Sequence, residues 1–554
     1  METWSVILIS LCISALIKAF IHLLRPSKYF NYKLPPGPWN FPIIGNILLA
    51  RKSVLDLEPM IHDLHKKFGP ATTLHIGFRP VIFICDRSLA HQALIQNGAV
   101  FSGRPPAGAV VKITSGNQHN INSASYGPNW RLLRRNLISE IIHPSRLKSY
   151  SHARKWVLQI LIDGLNLQAV NNGDRDDRAV KLRDHIQFAM FCLLVLMCFG
   201  DKLDEKKIRE VEDVQRLMML NTRRFNVLNF WPRVTKFVLR KLWGEFFEIL
   251  KKQESVLLPL IRDRRRMKEE GLSQAKEDEN YVLAYVDTLF DLHLPEENRK
   301  LQENEIMSLC SEFLVAGTDT TSNALQWVMA NLVKYPYIQE KVFKEIKGVV
   351  GDEEIRQVTE DDLQKLPYLK AVILETLRRH PPARFIEPRA LKQDMVLNGF
   401  YFPKNAIINF MVAEMGCWDS EVWDDPTSFR PERFLNGEGN GGEVFDITGS
   451  REIKMMPFGV GRRICPGQDL AMLHLEYFVA NLIWRYEWKA VDGDEVDFEE
   501  KQEFTKQKQP IPPQISVKME QKPWIYIVEE PTFSHRDGQL AGRHVAQHDT
   551  STFR

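Results

Sequence analysis

In this chain of 554 residues the residues able to do redox or metal chemistry gather around one cysteine. Cys465 lies in the run Pro457-Phe458-Gly459-Val460-Gly461-Arg462-Arg463-Ile464-Cys465-Pro466-Gly467, and the two glycines before it permit a tight turn that aims backbone N–H groups at the sulfur. Pro466 suits the first position of a helix whose pattern continues from Gln468 to Leu475, which places the thiol near the positive end of a helix dipole. Both effects lower a cysteine pKa and favour the thiolate, the form that binds metal. A buried loop cysteine after a glycine turn accounts for the same residues by packing alone. The remaining six, Cys12, Cys85, Cys192, Cys198, Cys310 and Cys417, are scattered without a CxxC pair, which excludes a zinc site or a disulfide framework.

Other groupings carry chemistry at helical spacing. Ala316-Gly317-Thr318-Asp319-Thr320-Thr321 lies inside the apolar stretch from Ile306 to Val333. A glycine there costs about 1 kcal/mol against alanine, and such a local inconsistency points to function. Thr320 follows Ala316 by four residues, so its hydroxyl can bond that carbonyl and open a notch in the helix. An ordinary helix with back-bonded threonines is the alternative. Glu375-Thr376-Leu377-Arg378 sets an acid and a guanidinium at i, i+3 on one helix face, a spacing also common on solvated helices. Trp130 and Arg134 are four residues apart, where a cation and an indole stack.

Phe458-x-x-Gly461-x-Arg463-x-Cys465-x-Gly467 resembles the haem-binding loop of the cytochrome P-450 haem-thiolate monooxygenases. The glutamate–arginine pair, Phe429-Arg430-Pro431-Glu432-Arg433-Phe434 and the Ala316–Thr321 run stand in that family's order, and the chain looks most like its plant microsomal branch, family eighty-nine. The resemblance implies haem b with Cys465 as axial iron ligand, Phe458 and Gly467 beside it, and Arg463, Trp130, Arg134 and Arg389 directed at the propionates. It implies that Glu375, Arg378 and Arg433 form a buried network supporting the pocket. Ala316 and Gly317 would flank dioxygen, with Asp319 and Thr320 as the acid–alcohol pair that relays protons. The implied reaction inserts one oxygen atom into a small, lipophilic organic substrate. Its electrons come indirectly from NADPH through NADPH–cytochrome P-450 reductase, which would meet a basic face of Arg131, Arg134, Arg135, Lys454 and Arg462. Two other functions keep the cofactor: a haem-thiolate isomerase or dehydratase needing neither dioxygen nor reductase, and a non-catalytic haem-binding membrane protein. The chain departs from its relatives after His380-Pro381-Pro382, where Arg384, Glu387 and Arg389 are expected to project toward the substrate cavity, and at Lys506, Gln507 and Lys508.

The elements that must position these residues read as mainly α with a small β region, with β-like stretches near Thr73 to Ile84 and Met395 to Met411. A hydrophobic share of 44% is too high for disorder, and Lys+Arg 73 against Asp+Glu 70 leaves +3, no global field that would call for a nucleic acid. Val6 to Leu24 is apolar over about the 20 residues that span a bilayer. Residues 1–24 are therefore expected to be a single transmembrane anchor, 25–46 a basic, proline-rich hinge, 47–530 the catalytic domain and 531–554 a polar, disordered tail. Arg25, Lys28 and Lys33 after the span leave the rest of the chain cytosolic, on the endoplasmic reticulum membrane by resemblance. Two motifs are decoys. Gly437-Glu438-Gly439-Asn440-Gly441-Gly442 matches GxGxxG without a strand before it or a helix after it, and His544 and His548 have a zincin's spacing without its glutamate.

Overall fold

The computed structural model describes residues 10, 12–15, 17, 32–38, 54–76, 79–171, 179–200, 203–229, 231–270, 283–351, 356–435, 445–490 and 516–521. Most of the expected anchor and tail, both decoy motifs and Lys506 to Lys508 lie outside these residues.

Helices that build or flank the site are α1 (Val54–Phe68), α2 (Ala109–Thr114), α3 (Pro128–Leu137), α4 (Ser151–Asn171), α5 (Leu182–Phe199), α6 (Glu205–Phe225), α7 (Arg240–Glu269), α8 (Glu303–Lys334), α9 (Pro336–Val350), α10 (Pro367–Arg379) and α11 (Gln468–Arg485). The sequence dictates their places. Every residue of α5 from Ala189 to Phe199 is buried, so this stretch has no polar face to offer solvent and runs through the core. Among the described residues it is the helix long and apolar enough to cross a membrane, and its burial is that of a core helix. Its principal partner is α8, 32 residues long, which opens with a reciprocal capping box between Gln302 and Glu305. Pro336, at the first position of the next helix, ends it.

The strands are short. β1 (Ala71–Ile76) and β2 (Arg79–Ile84) pair antiparallel, β7 (Ile407–Phe410) runs parallel to β2 with Val81 opposite Ile407, and β4 (Arg389–Ala390) closes the sheet against β7. The β5 (Met395–Leu397) and β6 (Phe400–Phe402) hairpin turns through Asn398 and Gly399, both at positive φ. A third sheet joins β8 (Tyr486–Ala490) to β9 (Ser516–Gln521) and β3 (Ala179–Lys181). The architecture is thus mainly α with small β regions, and strands occur at both places read from the sequence. Part of the expected hinge lies on the body. The Lys33 carbonyl accepts the Tyr401 N–H and the Pro36 carbonyl the Thr73 N–H, both at 2.9 Å, and a Cβ on Gly37 would strike the Thr73 carbonyl.

Candidate functional site

The cysteine loop is set by backbone contacts. Gly459 and Gly461 sit at φ +66° and +72°, conformations that side chains disfavour, and a Cβ on Gly461 would collide with the Leu94 carbonyl. The Cys465 N–H donates to the Phe458 carbonyl at 2.9 Å, and Phe458 packs partly buried on the helical core. Helix α11 begins at Gln468 with Gly467 as its cap, so Pro466 lies in the turn before the helix and not at its first position. The expected low thiol pKa is not found either. Burial pushes the Cys465 thiol up, against the Gly467 N–H and the Arg134 guanidinium, because desolvating an anion outweighs both. Cys465 is nevertheless accessible, which together with its desolvation places the sulfur on the wall of an interior hollow. A thiolate there calls for a strongly cationic partner such as a metal.

Beside the loop lies a cradle of four arginines. Trp130 on α3 is buried and donates its indole N–H to the Ile121 carbonyl at 3.0 Å; its ring lies under Arg463 at 4.6 Å and near Arg134 at 5.4 Å. Arg134 donates to the Ile464 carbonyl at 2.6 Å, and Arg463 to the Ser102 and Ala124 carbonyls at 3.0 and 2.6 Å. Sequence reading missed Arg104. It lies beside Arg389 because the Ala390 N–H of β4 bonds the Gly103 carbonyl at 3.0 Å, a long-range pairing that leaves no periodic trace. Arg104 donates to the Asn122, Glu387 and Pro388 carbonyls. Arg389 is 2% exposed, and its Nε and one terminal nitrogen have no hydrogen-bond partner. Burial first, then Arg104 and Arg463, push its pKa well down, and burial with Arg104 and Arg134 pushes Arg463 down to about 9. Orphaned donors among crowded cations fit a group carrying carboxylates, as haem does with its propionates, next to a soft sulfur donor for its iron.

On α8 the Thr320 hydroxyl donates to the Ala316 carbonyl at 2.8 Å, and Ala316 is exposed within an otherwise largely buried helix. Gly317 faces α5, where a Cβ would come within 2.7 Å of Leu194. Asp319 faces elsewhere. With Thr318, Gln187, Glu212, Gln215 and Arg216 it lines a small cavity between α5, α6 and α8. Burial raises its carboxyl to about 6 against the opposing charges of Arg216 and Arg183. Asp319 and Thr320 are thus neighbours in sequence with different surroundings.

On α10, Glu375 and Arg378 are fully buried and joined by two bonds of 2.7 and 2.8 Å. Arg433 reaches the same carboxylate at 3.4 Å and gives its terminal nitrogens to the carbonyls of Asp424 and Asp425. Arg384 does not project toward a cavity as expected. It is buried against Glu58 of α1 at 3.3 Å and the Cys417 sulfur, because α1 supplies the carboxylate that offsets its charge. Glu387 is exposed, close enough to Arg104 and Arg389 to affect both. Of the expected basic face, Arg131, Arg135 and Arg462 are exposed and Lys454 half-buried, whereas Arg134 belongs to the cradle.

Comparison with known proteins agrees with this geometry. The family model for cytochrome P450 matches residues 35–515. The chain is 51% identical to cytochrome P450 89A9 of Arabidopsis thaliana over 486 residues, 86% of this chain and 92% of that protein. It is 29% identical to flavonoid 3'-monooxygenase of the same plant, covering 88% and 91% of the two chains, and 30% identical to 5-epiaristolochene 1,3-dihydroxylase of Nicotiana tabacum, covering 86% and 91%. A zebra fish cytochrome P450 structure with progesterone superposes with a TM-score of 0.67 at 21% identity, over 84% of this chain and 99% of that one.

Proposed function

The chain belongs to the cytochrome P450 family, a haem-thiolate oxidoreductase supplied with NADPH electrons by a reductase, and from that premise we propose that it hydroxylates or otherwise oxygenates a small lipophilic molecule. Bound haem would supply reductive activation of dioxygen at an iron held by Cys465. Glycines 459 and 461 set the thiol, Arg389, Arg463, Arg134 and Arg104 would hold the propionates, and Phe458 would pack on the sulfur side. The Thr320 hydroxyl, its proton given to the Ala316 carbonyl, presents an acceptor at the accessible step of α8. Asp319, with a pKa of about 6, gains and loses a proton near neutrality, as a relay requires. Residues 1–24 would anchor the chain in the endoplasmic reticulum membrane with the body in the cytosol, where the NADPH–cytochrome P450 reductase meets Arg131, Arg135 and Arg462. Relatives named as a flavonoid 3'-monooxygenase and a 5-epiaristolochene 1,3-dihydroxylase support a small organic molecule as the substrate class. No observation favours the isomerase or the non-catalytic reading.

The observation that carries this reading is the accessible but desolvated Cys465 facing Arg134, in a site that also holds the unsatisfied Arg389. Its test is the reduced, carbon-monoxide-bound difference spectrum of membranes holding the protein. A red-shifted Soret band is expected in the wild type and absent in Cys465→Ala. Folded, haem-containing wild type without the band would overturn the reading.

A further inference from the structure

Helix α8 carries three polar side chains, Glu305, Ser308 and Glu312, in one stripe that leads to Ala316 a turn later. All three grip the segment joining α2 to α3. Glu305 lies 2.6 Å from Nδ1 of His119, whose other ring nitrogen meets Glu297 at 3.0 Å. The Ser308 hydroxyl donates to the Thr114 carbonyl at 3.0 Å. The Glu312 carboxylate receives the backbone N–H groups of Ile121 and Asn122 at 2.8 and 2.6 Å.

The opposite sides of those residues hold the arginine cradle. The Ile121 carbonyl accepts the Trp130 indole at 3.0 Å and an Arg463 nitrogen at 3.3 Å. The Asn122 carbonyl accepts Nε of Arg104 at 2.6 Å, and its side-chain oxygen a second Arg104 nitrogen at 3.2 Å. One carboxylate on the helix that bears Thr320 and three cradle side chains from elsewhere therefore hold two consecutive residues from both faces.

We propose that Glu312 is a positioning residue: its carboxyl group pins residues 119–125 to α8 and through them aims Trp130, Arg463 and Arg104, and its ionisation loosens the segment. Each N–H takes one carboxyl oxygen, and a protonated carboxyl still offers lone pairs there, so the neutral group keeps the pin without the cost of a buried charge. The surroundings set where ionisation falls, and because the pinned state holds the proton more tightly than water does, release is favoured as pH rises. Burial pushes the Glu312 carboxyl up to about 7, against the Ile121 and Asn122 N–H groups and Arg104, with Glu387 adding to the rise. Arg463 and Tyr285 are the other titratable groups within its electrostatic reach. The pinning stands on its own hydrogen bonds; only what the cradle holds rests on the haem reading.

The test is amide hydrogen exchange of the peptide covering residues 119–125 in the haem-bound enzyme, corrected for the intrinsic pH dependence of exchange. In the wild type, protection should fall about tenfold as pH is raised through 7. Glu312→Gln, permanently neutral, should show no step at any pH. Ser308→Ala and His119→Gln should keep the step, because neither removes the titrating carboxylate. A wild type without the step, a step that survives in Glu312→Gln, or a step lost in His119→Gln would overturn the proposal. The wild-type titration decides even if Glu312→Gln fails to fold. The carbon-monoxide spectrum fails independently: a missing thiolate band with the step intact sinks the haem reading and leaves the pinning.

Discussion

Arg378 and Arg389 are buried to nearly the same depth, 1% and 2% exposed, and their surroundings treat them in opposite ways. Every nitrogen of the Arg378 guanidinium is used: two bonds go to Glu375, the others to the carbonyls of Gly416, Pro426 and Ser428. Arg389 keeps two unpartnered nitrogens and faces the like charges of Arg104 and Arg463. A satisfied buried charge is already matched by the fold and can serve as scaffold, while an unsatisfied one is a standing cost that a ligand would relieve. Candidate binding site and framework use the same residue type here, and the hydrogen-bond inventory tells them apart.

The largest effect expected from that contrast is in the satisfied network. Glu375→Ala strands two arginines, so it should cost about 3 kcal/mol or more in denaturant unfolding and abolish haem incorporation. An unchanged midpoint with normal haem content would erase the distinction. At the other pole, Arg389→Met should leave far-ultraviolet dichroism and the unfolding midpoint near the wild type, or raise the midpoint slightly by removing repulsion. Haem loss to an excess acceptor should meanwhile quicken about tenfold, the worth of one charge-assisted contact. If Arg389→Met instead unfolds like Glu375→Ala, both arginines are scaffold. Asp319 gives the smallest and most specific shift. Its carboxyl is raised from 3.8 to about 6, so the fold disfavours its ionised form and loses stability as pH rises through that window. Asp319→Asn should abolish that portion of the decline in melting temperature, and with it any step near 6 in the coupling of NADPH use to product.

How much could be read from the chain depends on the range of each contact. Thr320 on the Ala316 carbonyl and Arg378 on Glu375 span four and three residues, so helical spacing alone brings them together. Arg463 with Ala124 and Glu312 with Asn122 are 339 and 190 positions apart, and no local pattern records either pairing. That is why Arg104 and Glu312 were invisible while the cysteine loop was not. The thiol pKa went astray for a related reason. Loop N–H groups and a helix end are local and can be anticipated, whereas desolvation belongs to the whole body packed around the sulfur. Pro466 fits a helix start and a turn equally well, and only Gly467 as cap decides between them. Arg384 found its carboxylate on α1, far upstream.

The docking of Lys33 and Pro36 on the strands has a mechanical consequence. Leu34 to Pro38 reads as a joint in the sequence, yet two backbone bonds and the close fit of Gly37 on Thr73 make it a bracket bolted to the body. Any swing of the body about a preceding anchor must pivot before Lys33, and the bracket acts as a short lever arm rather than as the bearing. Residues inserted ahead of Lys33 would lengthen the tether, whereas a side chain at Gly37 would prise the bracket off the sheet and move the pivot inward.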